Sequence, residues 1–164
     1  MFGKGIGTHD YFKETTRSMG KYNLTEKKEK NAAYRSLVRA ELVDELYEKI
    51  LKVFVVDKKY RDPDYSAKKL AEELNTNTRY ISAVVNIRFH QNYSSLVNEY
   101  RIKDAQYLLT DKRYMDKTME EISTMVGFAN RQSFYAAFYK NLGITPRTYR
   151  MEHLAKDKEA FKNY

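Results

Sequence analysis

Neither cysteine nor tryptophan occurs among the 164 residues, and there are only two prolines and three histidines. Without cysteine the chain has no disulfide, no thiolate metal site and no cysteine nucleophile, which agrees with a reducing, cytoplasmic compartment. Also missing is any run approaching the roughly 20 apolar residues of a membrane-spanning helix, and Met1-Phe2-Gly3-Lys4-Gly5 does not open like a signal peptide. His9, His90 and His153 stand far apart, and none has a partner at metal-ligand spacing. The glycine-rich run Gly3-Lys4-Gly5-Ile6-Gly7 has no strand before it and no clear helix after it, so it does not fit a phosphate loop. Asp62 and Asp64 flank a turn proline, and the pairs Glu72/Glu73 and Glu120/Glu121 are expected in early helical turns, where carboxylates suit the dipole. No catalytic residue, cofactor or metal is therefore expected, and the chain reads as a non-enzyme.

What is present is charge of one dominant sign on a foldable chain. Hydrophobic residues make up 42% and charged ones 32%, a balance that favours a packed core over global disorder. Thirty Lys and Arg against 22 Asp and Glu give a formal net charge of +8, which favours polyanionic partners. Charge alone carries little; the cations must sit beside a reading surface.

The apolar spacing is helical throughout and no strand is predicted, so the fold class is all-α. Residues 1–30 fit no period and read as a flexible arm. Over 31–60, residues such as Leu42, Leu46, Ile50 and Phe54 recur at three- and four-residue spacing, predicting one amphipathic helix, with 31–56 a candidate dimerisation or partner-binding segment. Two helix-turn-helix units follow, at 61–92 and 112–151, joined by a linker helix over 93–111 and followed by a tail over 152–164. In the first, Ser66 caps a short helix, Asn75 permits the turn and Asn77 caps a second helix to about Phe89. In the second, Thr118-x-x-Glu121 forms a capping box, Gly127 the turn, Asn130 the next cap and Gly143 the stop, before Thr145-Pro146 starts a last helix. Ile122, Met125 and Val126 are expected to face inward.

The longer helices of the two units superpose when 53 is added to the first: Asn77 on Asn130, Arg79 on Gln132, Ile81 on Phe134, Ala83 on Ala136. At 100° per residue, Ile81, Val84 and Val85 share one face, as do Phe134, Ala137 and Phe138, while Arg79, Ala83 and Asn86 lie opposite, like Gln132, Ala136 and Tyr139. A helix lying in the major groove needs donors near its N-terminus, small residues where the backbone comes close, and no carboxylate. Residues 75–98 hold Arg79 and Arg88, and residues 131–150 hold Arg131, Lys140, Arg147 and Arg150; neither stretch contains Asp or Glu. A linker helix of about 16 residues, roughly 24 Å long, suits two readers one duplex turn apart. The alternative is a pair of hairpins that only pack together, as in a helical protein-interaction module.

Gly127-Phe128-Ala129-Asn130-Arg131-Gln132-Ser133-Phe134, then Leu142-Gly143-Ile144-Thr145-Pro146 and Tyr149-Arg150, closely resembles the signature of the AraC/XylS family of bacterial transcription regulators. Leu70-Ala71-Glu72-Glu73-Leu74, Tyr80-Ile81-Ser82 and Asn98-Glu99-Tyr100-Arg101-Ile102 resemble the family's first unit and linker, so the resemblance spans about residues 41–151. It implies a homeodomain-like double helix-turn-helix domain that places helices at about 77–89 and 130–142 in adjacent major-groove segments of double-stranded DNA. It further implies cytoplasmic, nucleoid-associated work on DNA as a monomer, with RNA polymerase as a candidate partner.

Carried across residue by residue, the resemblance implies base-reading roles for Arg79, Ser82 and Ala83, and for Arg131, Gln132, Ser133 and Ala136. Arg79 suits guanine, Gln132 suits adenine, and the alanines suit thymine methyls. Asn86, Tyr135, Tyr139 and Lys140 are candidates for phosphate contacts. The sequence departs from the family pattern at Asn75 and His90, where glycine is usual, and at Ala83 and Ala136, where longer polar readers are common, leaving more to shape and phosphate contacts. The family's usual effector domain is not expected from 30 to 60 N-terminal residues. A use in recombination or excision of a mobile element, rather than in transcription, fits the same residues.

Overall fold

The computed structural model describes residues 39–162, so the arm at 1–30 and the start of the 31–60 helix lie outside the described residues. Seven α-helices follow one another without a strand among those residues: α1 (Ala40–Leu51), α2 (Ala67–Glu73), α3 (Thr78–Phe89), α4 (Tyr93–Thr110), α5 (Met119–Met125), α6 (Arg131–Leu142) and α7 (Pro146–Lys162).

α1 continues as a π-helical turn over Lys52–Val56 and stops there, short of the Tyr60 boundary that its periodicity predicts. Lys58 takes a left-handed φ of 49°, and Lys59–Arg61 form a separate 3-10 turn. The break lets Tyr60 turn back into the core, 2% exposed, with its ring 6.0 Å from Phe54 and 5.5 Å from Tyr100. At the other end, residues 152–162 are not a separate tail; they prolong α7 to Lys162.

The two helix-turn-helix units are built by the same local devices. Ser66 accepts the Lys69 amide at the start of α2, and Thr118 with Glu121 forms the complete capping box of α5. Each short helix ends in a Schellman motif: the Asn75 and Thr76 amides donate to the Glu72 and Ala71 carbonyls, and those of Gly127 and Phe128 to Thr124 and Ser123. The residue that must be left-handed is Asn75 (φ 51°) in the first motif and Gly127 (φ 99°) in the second. Asn77 and Asn130 then cap α3 and α6 through the Tyr80 and Ser133 amides, at 2.9 and 2.8 Å. From cap to cap the second turn is one residue longer than the first.

Each unit has its own core. The first gathers Leu46, Ile50, Phe54, Leu70, Ile81, Val84 and Val85 with Leu96 and Val97 from the start of α4. The second gathers Ile122, Val126, Phe128, Phe134 and Phe138 with Ile102, Ala105, Leu108 and Leu109 from the rest of α4. The linker helix is thus half a wall of either unit, which explains why it buries apolar residues along its whole length. Met125, expected inside, is 37% exposed, because the inward arc of α5 runs from Ile122 through Val126 to Ser123 and leaves Met125 outside it. Glu73 lies in the last turn of α2, not an early one, where Lys59 and the Tyr65 hydroxyl hydrogen-bond it and lower its pKa, the Lys59 bond foremost.

Candidate nucleic-acid interface

α3 and α6 start at equivalent caps and contain no Asp or Glu, so their outer faces carry donors and no fixed negative charge. On α3 the outward strip is Arg79 and Ser82, both exposed, with half-buried Asn86 on the next turn. On α6 it is broader, with Gln132, Ser133, Ala136, Tyr139 and Lys140 all exposed. The side chains of Arg79, Gln132 and Lys140 make no hydrogen bond or ion pair among the described residues. Arg131 is exposed at the first turn of α6, its guanidinium carbon 4.9 Å from the ring centre of half-buried Tyr135. That contact holds the cation at the edge of the strip.

Ala83 departs from its expected place. It is 0% exposed, whereas its counterpart Ala136 is open to solvent, so the two alanines are not equivalent. The helical wheel explains the difference once more than one neighbour is counted. Tyr80 and Ile87 stand beside Ala83 on α3 and pack against the first core, extending the covered arc around to it. The matching residues on α6 are Ser133 and Lys140, which leave that side open. A side chain without accessible surface has nothing to offer a thymine methyl.

Two of the cations on the carboxylate-free stretches 75–98 and 131–150 are engaged within the fold. Arg88 pairs with Asp44 on α1 and lies 5.6 Å from the Tyr47 ring centre, fastening α3 to α1. Arg150 donates to the Lys117 carbonyl at 2.8 Å, pinning the loop that leads into α5. Burial lowers its pKa from the ordinary arginine value.

Arg101 is the residue whose importance the sequence reading passes over. It lies on α4, is 8% exposed, and donates from Nε to the Tyr60 carbonyl at 2.7 Å and from Nη2 to the Asp62 carbonyl at 3.0 Å. Desolvation lowers its pKa; among the described residues no carboxylate bonds to it, and neutral carbonyls accept from its fork. A signal for it exists, because Tyr100-Arg101 and Tyr149-Arg150 repeat one dipeptide on the helix that follows each unit. Among the described residues no three His, Asp or Glu side chains gather as a metal site would require, and no helix is long and apolar enough to cross a membrane.

Comparison with known proteins agrees with this architecture. A family model described as a helix-turn-helix domain matches residues 70–152, just over half of the chain. Among solved structures, the C-terminal domain of the two-component response regulator yesN from Fusobacterium nucleatum is 26% identical, with a TM-score of 0.55 over 63% of this chain and 97% of that one. The C-terminal domain of AraT, a response regulator from Geobacillus stearothermophilus, is 24% identical, with a TM-score of 0.56 over 67% of this chain and 84% of that one. The DNA-binding domain of the global transcriptional factor AdpA, solved in complex with a target DNA, is 19% identical, with a TM-score of 0.59 over 68% of this chain and 94% of that one. No curated protein sequence matches. The duplicated, capped helix-turn-helix units and the match over 70–152 agree, and the chain belongs to the AraC-type helix-turn-helix family.

Proposed function

We propose that this chain is a non-enzymatic regulator of transcription that binds double-stranded DNA with sequence preference, laying α3 and α6 in successive major-groove segments. The observation that carries the reading is the matched pair of first-turn donors: Arg79 and Gln132 stand at equivalent positions of two capped, carboxylate-free helices, exposed and with side chains unpaired among the described residues. In this reading Arg79 forks onto guanine and Gln132 onto adenine, Ser82 and Ser133 adapt to either, and exposed Ala136 alone takes the role once shared with Ala83. Asn86, Arg131, Tyr135, Tyr139 and Lys140 rim the strips within reach of phosphates, which fix register rather than sequence. Since one chain carries both readers, a monomer suffices for one composite site. The AdpA domain's complex with a target DNA supports the reading, as do the regulators of the same fold.

The test is a selection from random duplexes followed by sequencing. The parent is expected to enrich one bipartite site, and Arg79→Ala and Gln132→Ala to relax preference at different positions, with discrimination falling by about 1–3 kcal/mol at each. Both variants selecting the parent's site unchanged would remove these residues as readers, and no enrichment at all would sink sequence-specific binding. A footprint over a promoter element supports regulation, whereas one beside an attachment site favours the recombination role.

A further inference from the structure

Arg101 touches both units at once. Its fork holds the carbonyls of Tyr60 and Asp62, in the segment leading into α2, while its guanidinium carbon lies 5.4 Å from the ring centre of Phe128, in the turn between α5 and α6. One turn further along α4, Asp104 accepts the Tyr60 hydroxyl and Arg61 Nε, both at 2.7 Å, with Lys58 Nζ at 3.7 Å. Gly127 completes the contact from the other side: a Cβ on it would stand 2.6 Å from the carbonyl oxygens of both Tyr60 and Arg61. The turn of the second unit therefore rests directly on the backbone that leads into the first. Arg150, the second copy of the Tyr-Arg dipeptide, serves as an internal control, because its carbonyl partners, Lys117 and Tyr114, both lie in the stretch leading into α5 of its own unit.

We propose that Arg101 is a positioning residue that locks the two units into one orientation, and so sets the separation and helical phase at which the two half-sites must lie. The proposal rests on the DNA-binding reading above and adds to it where specificity for spacing comes from. Two independently hinged readers would tolerate inserted base pairs. Two readers locked through Arg101, Phe128 and the 60–62 backbone would not, since each added base pair rotates the second half-site by roughly 35° about the duplex.

The absence of cysteine allows a measurement without DNA. Spin labels at Thr78→Cys and Asn141→Cys, both exposed on the reading helices, report the inter-reader distance in the full chain. A narrow distance distribution is expected for the parent, and one at least about twofold broader for Arg101→Met, with Arg101→Lys in between because an ammonium lacks the two-pronged fork. With DNA, the selected site is respaced by one to four base pairs: the parent should lose about tenfold or more in affinity, and Arg101→Met should show a flatter profile while keeping the same base preference in each half. An unchanged distance distribution in folded Arg101→Met overturns the proposal, and so does a variant that weakens equally at every spacing. If no duplex is enriched by the parent, the DNA reading falls, and the distance measurement still decides the lock by itself.

Discussion

Ala83 and Ala136 align in sequence and part in structure, one sealed in the first core and the other open on the outer face of α6. The same substitution should separate them. Ala83→Gln is expected to cost about 2–4 kcal/mol by overpacking and by burying an amide, whereas Ala136→Gln should stay within about 0.5 kcal/mol; urea unfolding of the two variants checks this. Two glycines make a second contrast. Both have positive φ, but a Cβ at Gly127 meets backbone carbonyls, and one at Gly143 meets nothing within 4 Å. Gly127→Ala should therefore cost about 2–4 kcal/mol and Gly143→Ala about 1–2 kcal/mol, measured as shifts of the unfolding midpoint at constant slope. In the first unit the corresponding left-handed positions are held by Asn75 (φ 51°) and His90 (φ 57°). That both conformations survive without glycine indicates that the surrounding turn and caps fix them.

At the scale of the helices, most boundaries were legible because they depend on a few local hydrogen bonds. Ser66, Asn77, Thr118 and Asn130 are caps in the sequence and caps in the structure. The end of α1 was not legible, since the apolar spacing runs on to Phe54 with no glycine or proline between it and Pro63, while a left-handed Lys58 breaks the helical run. Capping also couples stability to pH. The Thr118 amide bonds the Glu121 carboxylate and lowers its pKa below the ordinary 4.5. A lowered folded-state pKa means stability that is full above that ordinary value and is lost as pH falls through the folded one. Unfolding midpoints measured from pH 6 to pH 3 should thus decline, and Glu121→Gln should decline less steeply over that window, starting from a lower value at pH 6. An equal decline in both proteins would remove Glu121 as a contributor. Thr118→Ala should cost about 1 kcal/mol at neutral pH by losing the reciprocal half of the box.

For the whole molecule the question is which of its cations face a polyanion. The formal +8 counts every Lys and Arg alike, yet Arg88, Arg101 and Arg150 are engaged within the fold. Arg79, Arg131, Lys140 and Arg147 remain exposed on or beside the readers. If each neutralises one phosphate, log K should fall with log salt at a slope of about −4, and Lys140→Gln should reduce that slope by about 0.9 while weakening all sequences alike; titrations from low to moderate salt measure both. A slope unchanged by Lys140→Gln would place that residue off the phosphate path. The sequence by itself determined the helical class, the duplication and the strips of exposed donors, because apolar period, caps and turn residues act over a few neighbours along the chain. Only the tertiary structure decided that Ala83 is core, that Arg88 and Arg150 are fasteners, and that Arg101 joins the two units. Those outcomes depend on which surfaces meet after the chain folds back on itself, and Gly127 meeting the carbonyls of Tyr60 and Arg61 is written in no local pattern.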